Sequence, residues 1–88
     1  MLLSLDYDDT YTADPAFWLA FIDLAKRHGH RVVCVTARGE QHGAPGLEGK
    51  VDICFTDGRD KAQSADDQGF YVNVWIDDSP HMIGRLEF

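Results

Sequence analysis

Leu2-Leu3-Ser4-Leu5-Asp6-Tyr7-Asp8-Asp9-Thr10 is a short apolar run that breaks off into three carboxylates within four residues. A run this short, apolar up to its last position, fits a buried strand, and the polar, Thr-rich residues 7–13 that follow form a loop. Near the other end of the chain Phe70–Ile76 repeats the arrangement, an apolar strand closing on Asp77-Asp78. Both acidic ends are expected to meet, and everything between them is read as the means of bringing them together.

Asp14-Pro15 starts a helix, with Asp as the N-cap and Pro at the first helical position. Phe17, Trp18, Phe21, Ile22 and Ala25 share one face, Lys26 and Arg27 suit the negative end of the helix dipole, and Gly29 caps the end. The pattern predicts a helix over 15–28, with Phe17, Trp18 and Phe21 in the core. Arg31–Thr36 is apolar and β-branched after its first residue, as a strand buried on both faces of a parallel sheet would be. Residues 37–50 hold four glycines and a proline, which opposes a full helix and leaves a loop with at most one helical turn. Val51–Thr56 is a third strand, Asp60–Gln68 a short helix closed by Gly69, and Phe70–Ile76 the fourth strand, with Trp75 and Tyr71 packing against helices. A turn and a stub of strand at Arg85–Phe88 complete the reading.

The pattern β-α-β-loop-β-α-β implies an α/β fold: a three-layer, Rossmann-like parallel sheet with right-handed connections. Ligands of such sheets bind beyond the carboxyl ends of the strands, where the strand order reverses. Strand one ends at Asp6, strand two at Thr36 and strand four at Asp77. If strands one and four are neighbours, their ends lie roughly 4.8 Å apart, and one cation could touch both carboxylates. The expected order is therefore 3-2-1-4. Asp8 is two residues from Asp6, so continued extended backbone would turn both side chains to the same side. With Asp77 and Asp78 this gathers four carboxylates near one point, where like charges raise each other's pKa unless a cation neutralises them. Mg²⁺ fits best, because it takes hard oxygen ligands and keeps several waters.

Size and composition agree with this picture. With 88 residues, 44% of them apolar, the chain is expected to be one domain, 1–88, with a packed core. The net charge of −7 argues against a surface built to coat nucleic acid, which needs a basic face, but not against a phosphorylated substrate held through a cation. The first residues run straight into the acidic cluster without a basic start, which together with the two cysteines points to a cytoplasmic protein. Cys34 and Cys54 both lie in apolar runs and are read as reduced core residues, a disulfide between neighbouring strands being the alternative. His28, His30, His42 and His81 show no paired spacing and are read as surface or cap residues.

Taken in order, the four segments resemble the haloacid dehalogenase (HAD) superfamily. Leu2–Thr10 is similar to its first motif, an apolar strand followed by DxDxT; Val32–Thr36 to the second, an apolar strand ending in Ser or Thr; Lys61 to the third-motif lysine; and Val74–Asp78 to the fourth, an apolar strand ending in paired acids. The resemblance covers residues 1–80. It implies a reduced HAD core without a cap domain, acting as a Mg²⁺-dependent phosphatase. Asp6 would be the nucleophile. Asp8 would be the general acid and base, and Asp6, Asp8 through its carbonyl, Asp77 and Asp78 would form the metal shell. Thr36 and Lys61 would hold the phosphoryl oxygens, with Thr10 and Arg38 also placed to meet the substrate. Lys50 is the rival to Lys61. The sequence departs from the pattern in carrying Asp9 where Gly is frequent, a turn that Asp can still make because it tolerates a left-handed backbone. It also lacks a cap insertion, a long flap, and the helix expected after the second motif.

An open site of this kind would suit a phosphorylated small molecule, covered by a second subunit of a homo-oligomer, or a nucleotide or polynucleotide end. Two other readings stand beside it. One is an inactive HAD-like domain that binds Mg²⁺ or a partner. The other is a receiver-like phospho-acceptor, in which Asp57 at the end of strand three would take the phosphoryl group.

Overall fold

The computed structural model describes residues 1–84; the strand stub expected at Arg85–Phe88 lies outside them. Among the described residues four strands form one all-parallel sheet: β1 (Leu2–Leu5), β2 (Arg31–Thr36), β3 (Asp52–Phe55) and β4 (Val74–Ile76), in the order β3-β2-β1-β4. This is the expected 3-2-1-4 order. Two helices, α1 (Pro15–Arg27) and α2 (Lys61–Asp67), connect β1 to β2 and β3 to β4. The glycine-rich stretch after β2 holds a single 3-10 turn, Glu40–His42.

Alternation along the strands separates two layers of core. Val32 and Cys34 point to one face with Leu3 and Leu5, where Ile22 and Ala25 of α1 cover them. Val33, Val35 and Cys54 point to the other, where Ala65 of α2 packs. A helix on each side of the sheet explains why β2 is buried at every position but its first, since a strand covered on both faces has no polar side. Burying a residue such as Leu5, fully enclosed here, is worth about 1.5–3 kcal/mol. Cys34 and Cys54 are free thiols. The register pairs Val35, not Cys34, with Cys54, so the two side chains fall on opposite faces and no disulfide links them.

The helix boundaries follow from their caps. Asp14 accepts a hydrogen bond from the Phe17 amide at 3.2 Å, with Pro15 in the first turn. Asp60 does the same for α2, accepting from the Gln63 amide at 3.0 Å. Gly29 and Gly69, just past the two helices, take φ of +82° and +85°, a left-handed backbone open to glycine at little cost.

Two aromatic expectations change. Phe17 is 57% exposed, because it lies at the margin of the apolar stripe and meets the rest only edge-on, through Trp18 at 4.9 Å. β4 is also shorter than the apolar run predicts, three residues rather than seven. Asn73 turns its side-chain oxygen to the Leu2 amide at 2.8 Å just before the strand begins, and Tyr71 is left exposed. Trp75 packs under the sheet on the α2 side.

Candidate metal and phosphoryl site

β1 is paired on both sides, with Leu5 opposite Cys34 of β2 and Ile76 of β4. Asp6 and Asp77 follow the last paired positions of neighbouring parallel strands, and the Asp6 amide still donates to the Ile76 carbonyl at 2.9 Å. Register alone therefore sets the two carboxylates side by side. One oxygen from each of Asp6, Asp77 and Asp78 can be chosen so that all three lie within 4.8 Å of one another. Such a set of hard oxygen donors fits a small divalent cation.

Lys61, the first residue of α2, projects into this cluster. Its Nζ donates to Asp6 Oδ1 at 2.8 Å and to Asp77 Oδ2 at 2.6 Å, and all three side chains are less than a tenth exposed. The Ser79 amide donates to the other Asp77 oxygen at 2.9 Å. Thr10 ties the remaining acids together. Its Oγ1 lies 3.0 Å from Asp6 Oδ2 and 3.2 Å from Asp78 Oδ1, and it accepts from the Asp78 amide at 3.2 Å. A hydroxyl has one proton to give, so Thr10 serves Asp6 or Asp78 at any moment and not both.

The electrostatics follow. Three carboxylates face one ammonium. Burial pushes Asp6 up to about 6; the hydrogen bond from Lys61 pulls the other way, and the nearby acids Asp78 and Asp77 push it up further. Burial pulls the Lys61 ammonium down, but its bonds to Asp6 and Asp77 outweigh this and leave it above its ordinary value. Asp78 is held below the usual carboxylate range, first by its hydrogen bond with Asp6. A residual negative charge in a partly dry site is what a bound cation would relieve.

Asp9 has φ +64°, so the turn after β1 is made with Asp in the left-handed region, and the backbone does not stay extended past Asp6. Asp8 is not part of the three-carboxylate group and pairs with Arg38, though both Asp6 and Asp8 line the same cavity of about 290 Å³ together with Lys61, Asp77 and Asp78. Thr36 is fully buried at the end of β2, where its Oγ1 accepts from the Arg38 amide at 3.2 Å. Lys50 stands just before β3, at the opposite end of the sheet, lining a separate hollow of about 580 Å³ with Lys26 and Arg31. That hollow is larger, but two of its cations are engaged: Arg31 pairs with Asp52 at 3.0 Å, and Lys26 donates to the Lys50 carbonyl. Lys61 is the lysine that meets the acids. Asp57 is exposed in the loop after β3, with φ +53°.

Three participants were not legible from the sequence. Tyr7 is buried and donates to the Pro45 carbonyl at 2.7 Å. Ser79 fixes Asp77 through its backbone, and Arg59 lines the cavity. A polar residue directly after paired acids was the one available signal for Ser79; the other two depend on contacts between distant loops. No helix among the described residues is long and apolar enough to cross a membrane. Comparisons with models of known protein families, with curated proteins and with solved structures return no match for this chain.

Proposed function

We propose that this chain is a Mg²⁺-dependent phosphomonoester hydrolase that works through an aspartyl-phosphate on Asp6. The observation that carries the reading is the convergence of Asp6, Asp77, Asp78 and Lys61 at the carboxyl ends of two adjacent parallel strands. Phosphoryl transfer asks little covalent chemistry of a protein beyond a nucleophile; it asks for positioning and for positive charge around the transferred oxygens. The resemblance of the four segments to HAD motifs supports the same assignment.

In this reading Asp6, Asp77 and Asp78 hold Mg²⁺, which when bound supplies charge neutralisation for the phosphoryl oxygens. Asp6 attacks phosphorus through a carboxylate oxygen, and the bond to the leaving oxygen breaks. Asp8 gives that oxygen a proton and afterwards takes one from the water that attacks the phospho-Asp6 intermediate, releasing phosphate and restoring Asp6. Lys61 offers its ammonium to the phosphoryl group, and Thr10 keeps Asp6 and Asp78 oriented. The shallow cavity suits a phosphorylated small molecule or a nucleotide or polynucleotide end.

The test is hydrolysis of p-nitrophenyl phosphate by the purified chain at neutral pH, with Mg²⁺ and with EDTA. Turnover that requires Mg²⁺ is expected. A chain that binds Mg²⁺ and never releases p-nitrophenol would be a binding domain instead.

A further inference from the structure

We infer that Arg38 is a positioning residue for Asp8: it fixes the acid–base carboxylate at the cavity wall and does not itself bind substrate. The inference rests on the phosphatase reading above and adds to it how Asp8 is held.

Asp8 sits on the turn after β1 with its side chain about half exposed, at 52%. A carboxylate so placed ordinarily samples several rotamers, and a general base that wanders is a poor catalyst. Here it is held by a planar fork. Arg38 Nε lies 3.0 Å from Asp8 Oδ2 and Nη2 lies 2.9 Å from Oδ1. Two parallel bonds fix the orientation of a carboxylate as well as its position.

Arg38 is itself ordered before it meets Asp8. Its amide donates to Thr36 Oγ1 at 3.2 Å and its carbonyl accepts from the Asp57 amide at 3.2 Å. The guanidinium lies over the Tyr7 ring, 4.6 Å from its centre, an arrangement attractive both by stacking and by cation–π interaction. Tyr7 is held in turn by its bond to the Pro45 carbonyl and by stacking on Tyr11 at 5.4 Å. Asp8 belongs to the cavity lining and Arg38 does not; the guanidinium reaches the carboxylate from outside the space a substrate would enter. Thr36, fully buried beside the cavity-lining Ala37, anchors the Arg38 backbone.

The experiment measures kcat and KM for p-nitrophenyl phosphate with saturating Mg²⁺ in wild type, Arg38→Ala, Arg38→Lys, Asp8→Asn and the Asp8→Asn/Arg38→Ala double variant. Misplacing a catalytic group by about 1 Å can cost about 10²-fold, so Arg38→Ala should lose roughly 10- to 10²-fold in kcat while KM stays within about twofold. The double variant should be no slower than Asp8→Asn alone, because both changes remove one function. Added guanidinium ion should restore part of the kcat of Arg38→Ala. Arg38→Lys should fall between wild type and Arg38→Ala, since a lysine keeps the charge and lacks the fork; it carries the comparison if Arg38→Ala does not fold. A raised KM with unchanged kcat would make Arg38 a substrate contact and overturn the inference. So would an unchanged kcat, or losses that multiply in the double variant. If wild type itself shows no turnover, the phosphatase reading fails, and this inference with it. A failure confined to the Arg38 variants leaves the phosphatase reading intact.

Discussion

Replacing Asp6 with Asn should stabilise the metal-free protein at neutral pH, and the size of the effect follows from the site. Asp6 stands at about 6 in the folded chain against an ordinary 3.8. Between those two values the folded state binds more protons than the unfolded one, so this group makes stability fall as pH rises from about 4 to about 6 and leaves it low above that. A difference of about two units corresponds to about 3 kcal/mol. Asn has the shape of the protonated acid and no charge to desolvate. Its amide oxygen can accept from Lys61, and its NH₂ can donate to Thr10 Oγ1, which is then free to donate to Asp78. Asp6→Asn should therefore match wild type near pH 4 and exceed it by up to about 3 kcal/mol at pH 7. Urea unfolding in EDTA at pH 4, 5, 6 and 7 measures the difference directly. A variant less stable than wild type at pH 7, or an offset equal at pH 4 and pH 7, would refute the reasoning.

Millimolar Mg²⁺ should raise the melting temperature of wild type at pH 7.5, because a ligand that binds only the folded state stabilises it. The gain should fade as pH falls through about 6, where Asp6 takes up a proton and ceases to be a ligand; an unchanged melting temperature at pH 7.5 would count heavily against the site. Lys61→Met should cost about 3–5 kcal/mol in urea unfolding without metal, because it leaves two buried carboxylates without their shared cation. Mg²⁺ should recover part of that loss, and a cost under about 1 kcal/mol would show that the Asp6–Lys61–Asp77 triad is not what neutralises the cluster.

Most of the fold could be read from local signals. The apolar runs ending at Asp6, Thr36 and Asp77 mark strands, and Asp14-Pro15 and Asp60 mark helix starts, because caps and periodicity act within a turn or two of chain. The strand order could be reasoned out as well, since neighbouring ends of β1 and β4 are the way to bring Asp6 to Asp77. What escaped was set by contacts between distant loops. Arg38 reaches Asp8 across thirty residues, and nothing in either segment alone announces the pair. The turn over residues 7–10, in which Asp8 pairs with Arg38 and is not part of the three-carboxylate group, is likewise not readable from the DxD spacing. Lys61 and Lys50 look alike in sequence; they are separated by which end of a parallel sheet each one occupies. Phe17 kept its helical spacing but not its burial, since it lies at the edge of the stripe that meets the sheet.

The central claim is that Asp6 is the nucleophile, and it is tested most directly by the turnover of Asp6→Asn with saturating Mg²⁺ at neutral pH, compared with wild type on p-nitrophenyl phosphate. The variant should be folded, with a cooperative urea transition, and should show no turnover above the uncatalysed rate, because the amide cannot form the covalent intermediate. Hydrolysis that survives in Asp6→Asn would contradict the mechanism even with the fold and the metal site intact.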